Sequence, residues 1–352
     1  MTILKKYLLV AVVAIIAVLT LSYNATTTIL RLSPLETVWS FSSHEDGTHY
    51  GVSPMCDDID GFGYTCHETP EIPSPRTNYS VKNKKQYDLW WEAHTALNQS
   101  AAHHVRRRSN FQPLVLMGDS ITEAYLGTVM GEPQKQATEG IPAVLSEMAQ
   151  SESFHPLVLA IAGDQTQHLL YRLQHGELPS SISQDENAIF VIHIGTNNIG
   201  KGHLPEKTVD GIVAVTSYVL SNTAGQIILV EILPRGDGSK KYPRLCPPQC
   251  DSYGKPFTSF LPAVDKVNAG LRKILPDISY EYDDRLSIVD CSSSFRMMDA
   301  ANNASNKYKD EPTINQEEEV NVSLMPDRLH PNANGHRILL QCVIDCLHGK
   351  NC

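Results

Sequence analysis

Five residues carry the reactive groups around which this chain can be read. Ser120 offers a hydroxyl within PLVLMGDSITEAY, Pro113 to Tyr125. A serine alcohol is barely ionised at neutral pH, so it attacks an ester only if a base takes its proton. His330, in Asp327-Arg328-Leu329-His330-Pro331, is the candidate base, with an ordinary pKa of about 6.5. Asp327, three residues earlier, is the carboxylate that would fix the imidazole tautomer and stabilise the imidazolium. The negative oxygen of a tetrahedral intermediate needs N–H donors, and three are available: the backbone of Ser120, the backbone of Gly163 and the side-chain amide of Asn197. Taken one at a time these signals are bland. Gly-Asp-Ser is also an ordinary turn and N-cap, Gly-Thr-Asn-Asn a turn, and Asp-x-x-His a common loop. Their force lies in order and placement.

Each group stands where a particular element must deliver it. Leu114 to Met117 is a short apolar run, the mark of a buried strand, and it stops at Gly118-Asp119-Ser120. Leu157 to Ile161 is a second strand ending at Ala162-Gly163-Asp164, and Ala188 to Ile194 a third ending at Gly195-Thr196-Asn197-Asn198. Gln226 to Leu233 and Leu286 to Asp290 are the fourth and fifth. Helical patterns separate them: Gln86 to Arg108, Ile141 to Ala149, Gln165 to Gln174, Val209 to Leu220 and Val264 to Ile274, with Asn334 to Leu347 last. Strands alternating with helices predict βαβ units, hence an α/β fold with a parallel sheet and helices on both faces. Sites in such sheets lie at the carboxyl ends of the strands. Two long interruptions, Asp237 to Phe260 and Ser292 to Met325, fall on that side and either shape a substrate mouth or are simply loops.

GDSIT, Gly163, GTNN and DRLHP together resemble the four blocks of the SGNH (GDSL-type) hydrolase superfamily. The resemblance implies a three-layer α/β/α sandwich on a central parallel sheet, flavodoxin-like, and no metal or organic cofactor. It implies Ser120 as nucleophile, His330 as base, Asp327 as its orienter, and Ser120, Gly163 and Asn197 as the oxyanion hole. Asn198 stands where many members carry Asp. Within the superfamily, IAGDQTQHLLYRLQHGELP, IGTNN and ILPRG are similar to the catalytic subunits of type I platelet-activating-factor acetylhydrolase. That likeness runs from about Gln86 to the C-terminus and suggests a short acyl group, acetyl above all, on a glycan or lipid alcohol. Those subunits are cytosolic, and they lack the cysteine-bearing insert that follows Pro234-Arg235-Gly236.

Composition sets the outer bounds. The 352 residues are 41% hydrophobic, enough for a sizeable core, and the net charge of −10 argues against a nucleic-acid partner. Lys5 and Lys6 precede an apolar run from Tyr7 to Leu21, the layout of a signal peptide or short signal anchor. The run is shorter than the roughly 20 residues of a typical spanning helix. The organisation expected is therefore an export segment over 1–23, an irregular luminal stem over 24–84 and a hydrolase domain over 85–352. The catalytic part lies in the lumen or outside, either secreted or held as a type II membrane protein. Eight cysteines fit disulfides in that compartment, with Cys56–Cys66 and Cys246–Cys250 as local bridges and Cys342 and Cys346 paired elsewhere. Zinc-ligand spacing is lacking. Sequons occur at Asn24, Asn78, Asn98, Asn303 and Asn321.

The remaining polar residues invite structural readings. Asp119 and Asp164 suit helix caps, His168 and His175 a helix surface, His193 a satisfied core position, and His336 a cap or packing role. His44 and His49 read as solvent-facing. Two other functions compete with ester hydrolysis: an O-acyltransferase using the same acyl-serine, and a glycan-binding surface protein without catalysis.

Overall fold

The computed structural model describes residues 56–58, 64–66, 68–76, 84–104, 111–178, 180–237, 255, 259–282, 284–297 and 319–350. The export segment, most of the stem, His44 and His49, Cys246 and Cys250, the sequons at Asn24, Asn78 and Asn303, and Arg106 to Arg108 lie outside them. No described helix is long and apolar enough to cross a membrane.

Five parallel strands form the central sheet. They are β1 (Gln112–Gly118), β2 (Phe154–Ala160), β3 (Ile189–His193), β4 (Gln226–Val230) and β5 (Leu286–Val289). Their order is β2-β1-β3-β4-β5. Gly118 therefore lies level with Ala160 on one side and His193 on the other. The three strand ends that carry candidate groups are thus immediate neighbours, at the point where the strand order reverses.

The strands read as continuous apolar runs because both faces are covered. Val115 and Met117 join one apolar cluster, and Leu114 and Leu116 the other. The first cluster takes in Trp90, Ala93, Leu97 and Ala101 from α1 (Lys84–His103). It also takes in α4 (Thr166–Arg172), α6 (Pro205–Asn222) and α7 (Leu261–Glu281). The second packs α3 (Ile141–Ser151) and α8 (Ala333–Leu347) on the opposite face. Between them in chain order fall two short helices at the site, α2 (Ser120–Glu123) and α5 (Thr196–Lys201). The expected three-layer α/β/α sandwich is thereby established. Each buried Leu, Ile or Val contributes about 1.5–3 kcal/mol, so two such faces carry most of the driving force.

Some boundaries move for identifiable reasons. The fourth strand stops at Val230, not Leu233, because the backbone of Ile232 pairs with a side chain. Its N–H donates to Asn268 Oδ1 (3.0 Å) and its carbonyl accepts from Asn268 Nδ2 (2.9 Å). The helix after Gly163 ends at Arg172 and passes into a wide turn, Leu173–Glu177. That turn brings Glu177 back against Arg172. Cys342 is bonded to Cys291, which ties α8 to the chain following β5, and Cys346 is also disulfide-bonded. Cys56 and Cys66 lie directly opposite each other in a short antiparallel ribbon. Asn98 and Asn321 each donate an amide hydrogen to a backbone carbonyl, of His175 and Ser294 respectively.

A buried ionic network crosses the first helical layer. Arg172 donates to Asp164 Oδ2 (2.7 Å), to Glu177 and to the carbonyl of Gly118 (3.3 Å). Asp164 Oδ1 accepts from Trp90 Nε1 (2.7 Å), and Glu177 Oε1 pairs with His94 Nδ1 (2.7 Å). Arg172, Asp164 and Glu177 are wholly buried. Removing the cation would leave two carboxylates uncompensated, so Arg172→Ala should destabilise the fold by about 3–5 kcal/mol. A matching fall in the denaturant midpoint, at unchanged slope, is the measurement.

Candidate active site

Ser120 begins α2, directly after the turn that closes β1. The turn is held by Asp119, whose Oδ1 accepts from the Ile121 N–H (3.1 Å). Gly118 allows the close approach of β1 to β3: a Cβ there would meet the His193 carbonyl and Thr122 Oγ1 at 2.4 Å. The next residue but two, Glu123, is buried and fully used. Its oxygens accept from Thr128 Oγ1 (2.7 Å), Met130 N (2.9 Å), Gly131 N (2.7 Å) and Ala162 N (2.6 Å). One carboxylate thus joins the nucleophile turn to the loop carrying Gly163.

His330 and Asp327 arrive from the loop before α8. Ser120 Oγ lies 3.0 Å from His330 Nε2, and His330 Nδ1 lies 2.6 Å from Asp327 Oδ2. Asp327 Oδ1 also accepts from the backbone N–H of Leu329 (3.0 Å) and of His330 (2.7 Å). Partial burial works against the Asp327 charge, but the hydrogen bonds from His330 and Leu329 outweigh it and hold the group at about 2. An ionised Asp327 can only accept, so Nδ1 carries the imidazole proton and Nε2 is free to accept from the serine hydroxyl.

The donors expected of an oxyanion hole lie at the ends of β1, β2 and β3. Gly163 has φ +82°, a left-handed conformation that suits glycine. Its N–H has no partner among the described residues. Asn197 differs from expectation in one respect. Its two amide hydrogens point to the Asp164 carbonyl (2.9 Å) and to Asp119 Oδ2 (3.2 Å), so an oxyanion must share the second. Burial pushes Asp119 up to about 7, against the Ile121 N–H bond and the charge of His330. Asn198, at the position where Asp is frequent, turns away from the nucleophile. It bonds the Thr166 N–H (3.0 Å) and Thr166 Oγ1 (3.0 Å), tying the third block to the second. Arg235 is buried behind them, donating to the Thr196 carbonyl (2.6 Å) and paired with Asp237.

Two expectations need correction. Asp164 does not cap a helix, because both its oxygens are taken by Trp90 and Arg172. His168 is not on a surface but buried: Nδ1 accepts from the Gln165 N–H (3.2 Å) and Nε2 donates to Glu68 Oε2 (2.8 Å). His175 is exposed and stacks on Tyr171. His193 sits in the core, where burial lowers it to about 4. His336 packs edge-on against Tyr125, and burial lowers it to about 3. Glu123, Arg172 and Arg235 lie inside the sequence blocks but were given no role of their own there, and Arg76 falls in the stretch read as an irregular stem; each takes its role from partners distant in the chain.

A 2-1-3-4-5 parallel sheet covered by helices on both faces defines an α/β/α sandwich, with Ser120, His330 and Asp327 hydrogen-bonded in series at its strand ends. The family model described as GDSL-like Lipase/Acylhydrolase matches residues 114–343, and the chain belongs to that family of ester-bond hydrolases. The human platelet-activating factor acetylhydrolase IB subunit alpha1 is 37% identical over 83 residues, which cover 23% of this chain and 33% of that one. Subunit alpha2 of Gallus gallus is 33% identical over 84 residues, covering 24% and 34%. The chain thus spans about a third of the length of the curated relatives it matches. A GDSL-like lipase from Bacteroides thetaiotaomicron superposes with TM-score 0.48 at 13% identity, covering 73% of this chain and 97% of that one.

Asp119 gives a pH-dependent expectation. Its pKa is raised on folding from 3.8 to about 7. Its contribution to stability is therefore fully present below about pH 4 and lost as pH rises through about 7. Asp119→Asn cannot ionise, so its stability relative to the parent should be greater at pH 8 than at pH 5. Chemical unfolding at the two pH values checks this; a constant difference would place the Asp119 pKa outside that window.

Proposed function

We propose that this protein is a serine-dependent carboxylic ester hydrolase that removes a short acyl group, acetyl in the first instance, through an acyl-serine intermediate. The observation that carries the reading is the relay of Ser120 Oγ to His330 Nε2 (3.0 Å) and His330 Nδ1 to Asp327 Oδ2 (2.6 Å). In the first half-reaction Ser120 Oγ attacks the ester carbonyl carbon as its proton passes to Nε2. The carbonyl oxygen becomes the oxyanion and is met by the N–H groups of Ser120 and Gly163 and by the Asn197 amide. Collapse breaks the bond to the alcohol oxygen, which takes the proton from His330. In the second half-reaction a water gives its proton to His330 and attacks the acyl carbon. The carboxylic acid leaves and Ser120 recovers its proton. Asp327 stays ionised throughout.

The acetyl assignment rests on the relatives, whose names describe acetylhydrolases. The alcohol is that of an acetylated glycan or lipid. An oxidising compartment is supported by the Cys291–Cys342 disulfide, and the apolar run at the N-terminus would deliver the chain there as a secreted or type II membrane protein.

Ser120→Ala should abolish hydrolysis of p-nitrophenyl acetate with the fold intact, and a fluorophosphonate should label the parent at Ser120 alone. Retained turnover in the variant would refute the nucleophile. Activity of the parent should also decline as pH falls through the range in which an imidazole takes up a proton, since an imidazolium cannot accept the serine proton. Asp327, held at about 2, cannot account for such a limb near neutrality. A rate independent of pH between about 5 and 8 would exclude a histidine base.

A further inference from the structure

We infer that Arg76, which lies ahead of the helix and sheet of the hydrolase domain, is a positioning residue for the reaction proposed above, acting on the peptide that presents the Gly163 N–H. The inference rests on that reading of the site and names a residue outside the four sequence blocks.

The segment 68–76 is attached to the start of α4, directly after the glycine loop. Thr166 Oγ1 donates to the Pro70 carbonyl (2.8 Å), and the Ser74 N–H donates to the Gln167 carbonyl (3.2 Å). Glu68 Oε2 accepts from Gln167 Nε2 (2.7 Å) and from His168 Nε2 (2.8 Å), with its side chain almost wholly buried. These contacts lead Arg76 over the glycine loop. There its Nη1 donates to the carbonyl of Ala162 (3.1 Å). Its Nη2 lies 2.7 Å from the place a Cβ on residue 163 would occupy. The absence of a side chain at Gly163 is what makes room for the guanidinium.

The consequence follows from peptide geometry. In a planar trans peptide the C=O and N–H point in opposite directions. The Ala162 carbonyl and the Gly163 N–H belong to one such unit, so holding the first aims the second. The preceding peptide is held as well, since the Ala162 N–H donates to Glu123 Oε2 (2.6 Å). Residue 162 is thus gripped by an anion at its N–H and a cation at its carbonyl. Donation to a carbonyl also polarises its amide and strengthens the N–H as a donor. Arg76 is half-buried, and among the described residues it pairs with no carboxylate. Its other contact is the Met130 sulfur at 4.0 Å. Its charge is therefore not neutralised by an ion pair among the described residues, and it is directed at the Ala162 carbonyl.

The test uses the full chain with Arg76→Met and Arg76→Lys, read by kinetics on p-nitrophenyl acetate and by the Gly163 backbone amide resonance in the 15N-labelled protein. Loss of an aligned donor predicts that Arg76→Met lowers kcat roughly tenfold to a hundredfold with KM close to the parent value. Arg76→Lys should recover part of kcat, as should added guanidinium ion with Arg76→Met but not sodium chloride at equal ionic strength. The Gly163 resonance should move in Arg76→Met, and the spectrum as a whole reports whether that variant is folded. An unchanged kcat, or a Gly163 resonance that stays where it was, overturns the inference. Should the parent show no Ser120-dependent turnover, the hydrolase reading fails by itself, and the Gly163 resonance still decides whether Arg76 holds the peptide.

Discussion

Lateral pairing of β2, β1 and β3 is the constraint on which the site depends. Parallel strands joined by crossover helices must all run the same way, so their carboxyl ends open on one edge. The register that sets Gly118 level with Ala160 and His193 also sets the residues beyond them within side-chain reach of one another. A slip by one residue would exchange the side chains that a strand gives to the two apolar clusters, so core packing and site geometry are enforced together. The sandwich has two apolar clusters, one on each face, and both must be satisfied before the three loops meet.

Strand ends alone fix position only coarsely. The finer placement comes from buried charged side chains, each holding the backbone of a particular block. Glu123 holds the loop before Gly163. Arg172 bonds the Gly118 carbonyl and the Asp164 carboxylate. Arg235 bonds the Thr196 carbonyl, beside Asn197. Burying such charges is costly unless every valence is met, and in each case the partners are present. The outcome is a rigid set of donors, the arrangement that electrostatic stabilisation of a transition state requires. His330 and Asp327 are less enclosed: their side chains are 43% and 56% exposed. Their orientation is set locally, by the Asp327 carboxylate accepting from the backbone of its own loop.

Much of this was legible in the sequence because it is carried by short-range pattern. A buried parallel strand is an unbroken apolar run, and the reactive residues follow such runs directly, so strand, turn and nucleophile could be read as one phrase. The Asp-x-x-His spacing survives translation into structure because a tight loop brings the two side chains together by itself. What stayed hidden depends on partners far apart in sequence. His168 was expected on a helix surface, but the carboxylate that pairs with it in the interior, Glu68, is 100 residues away in the chain. The helix expected to run to Gln174 ends at Arg172, and the wide turn after it folds Glu177 inward against that arginine. Ile232 was apolar enough to extend a strand, yet its backbone is claimed by Asn268. The direction of the Asn197 amide hydrogens could not be inferred at all, since it depends on the Asp164 carbonyl and the Asp119 carboxylate around it.

The portion shared with the family, 114–343, does not contain every residue its own interior requires. Trp90 and His94 on α1 supply the hydrogen-bond partners of Asp164 and Glu177, and Glu68 supplies that of His168. A polypeptide trimmed to the shared portion would keep each reactive group yet leave three interior polar side chains each short of one partner. It would also expose the sheet face that Trp90, Ala93, Leu97 and Ala101 cover. The interior of the shared portion therefore draws its polar partners from as far back as Glu68, upstream of residue 114.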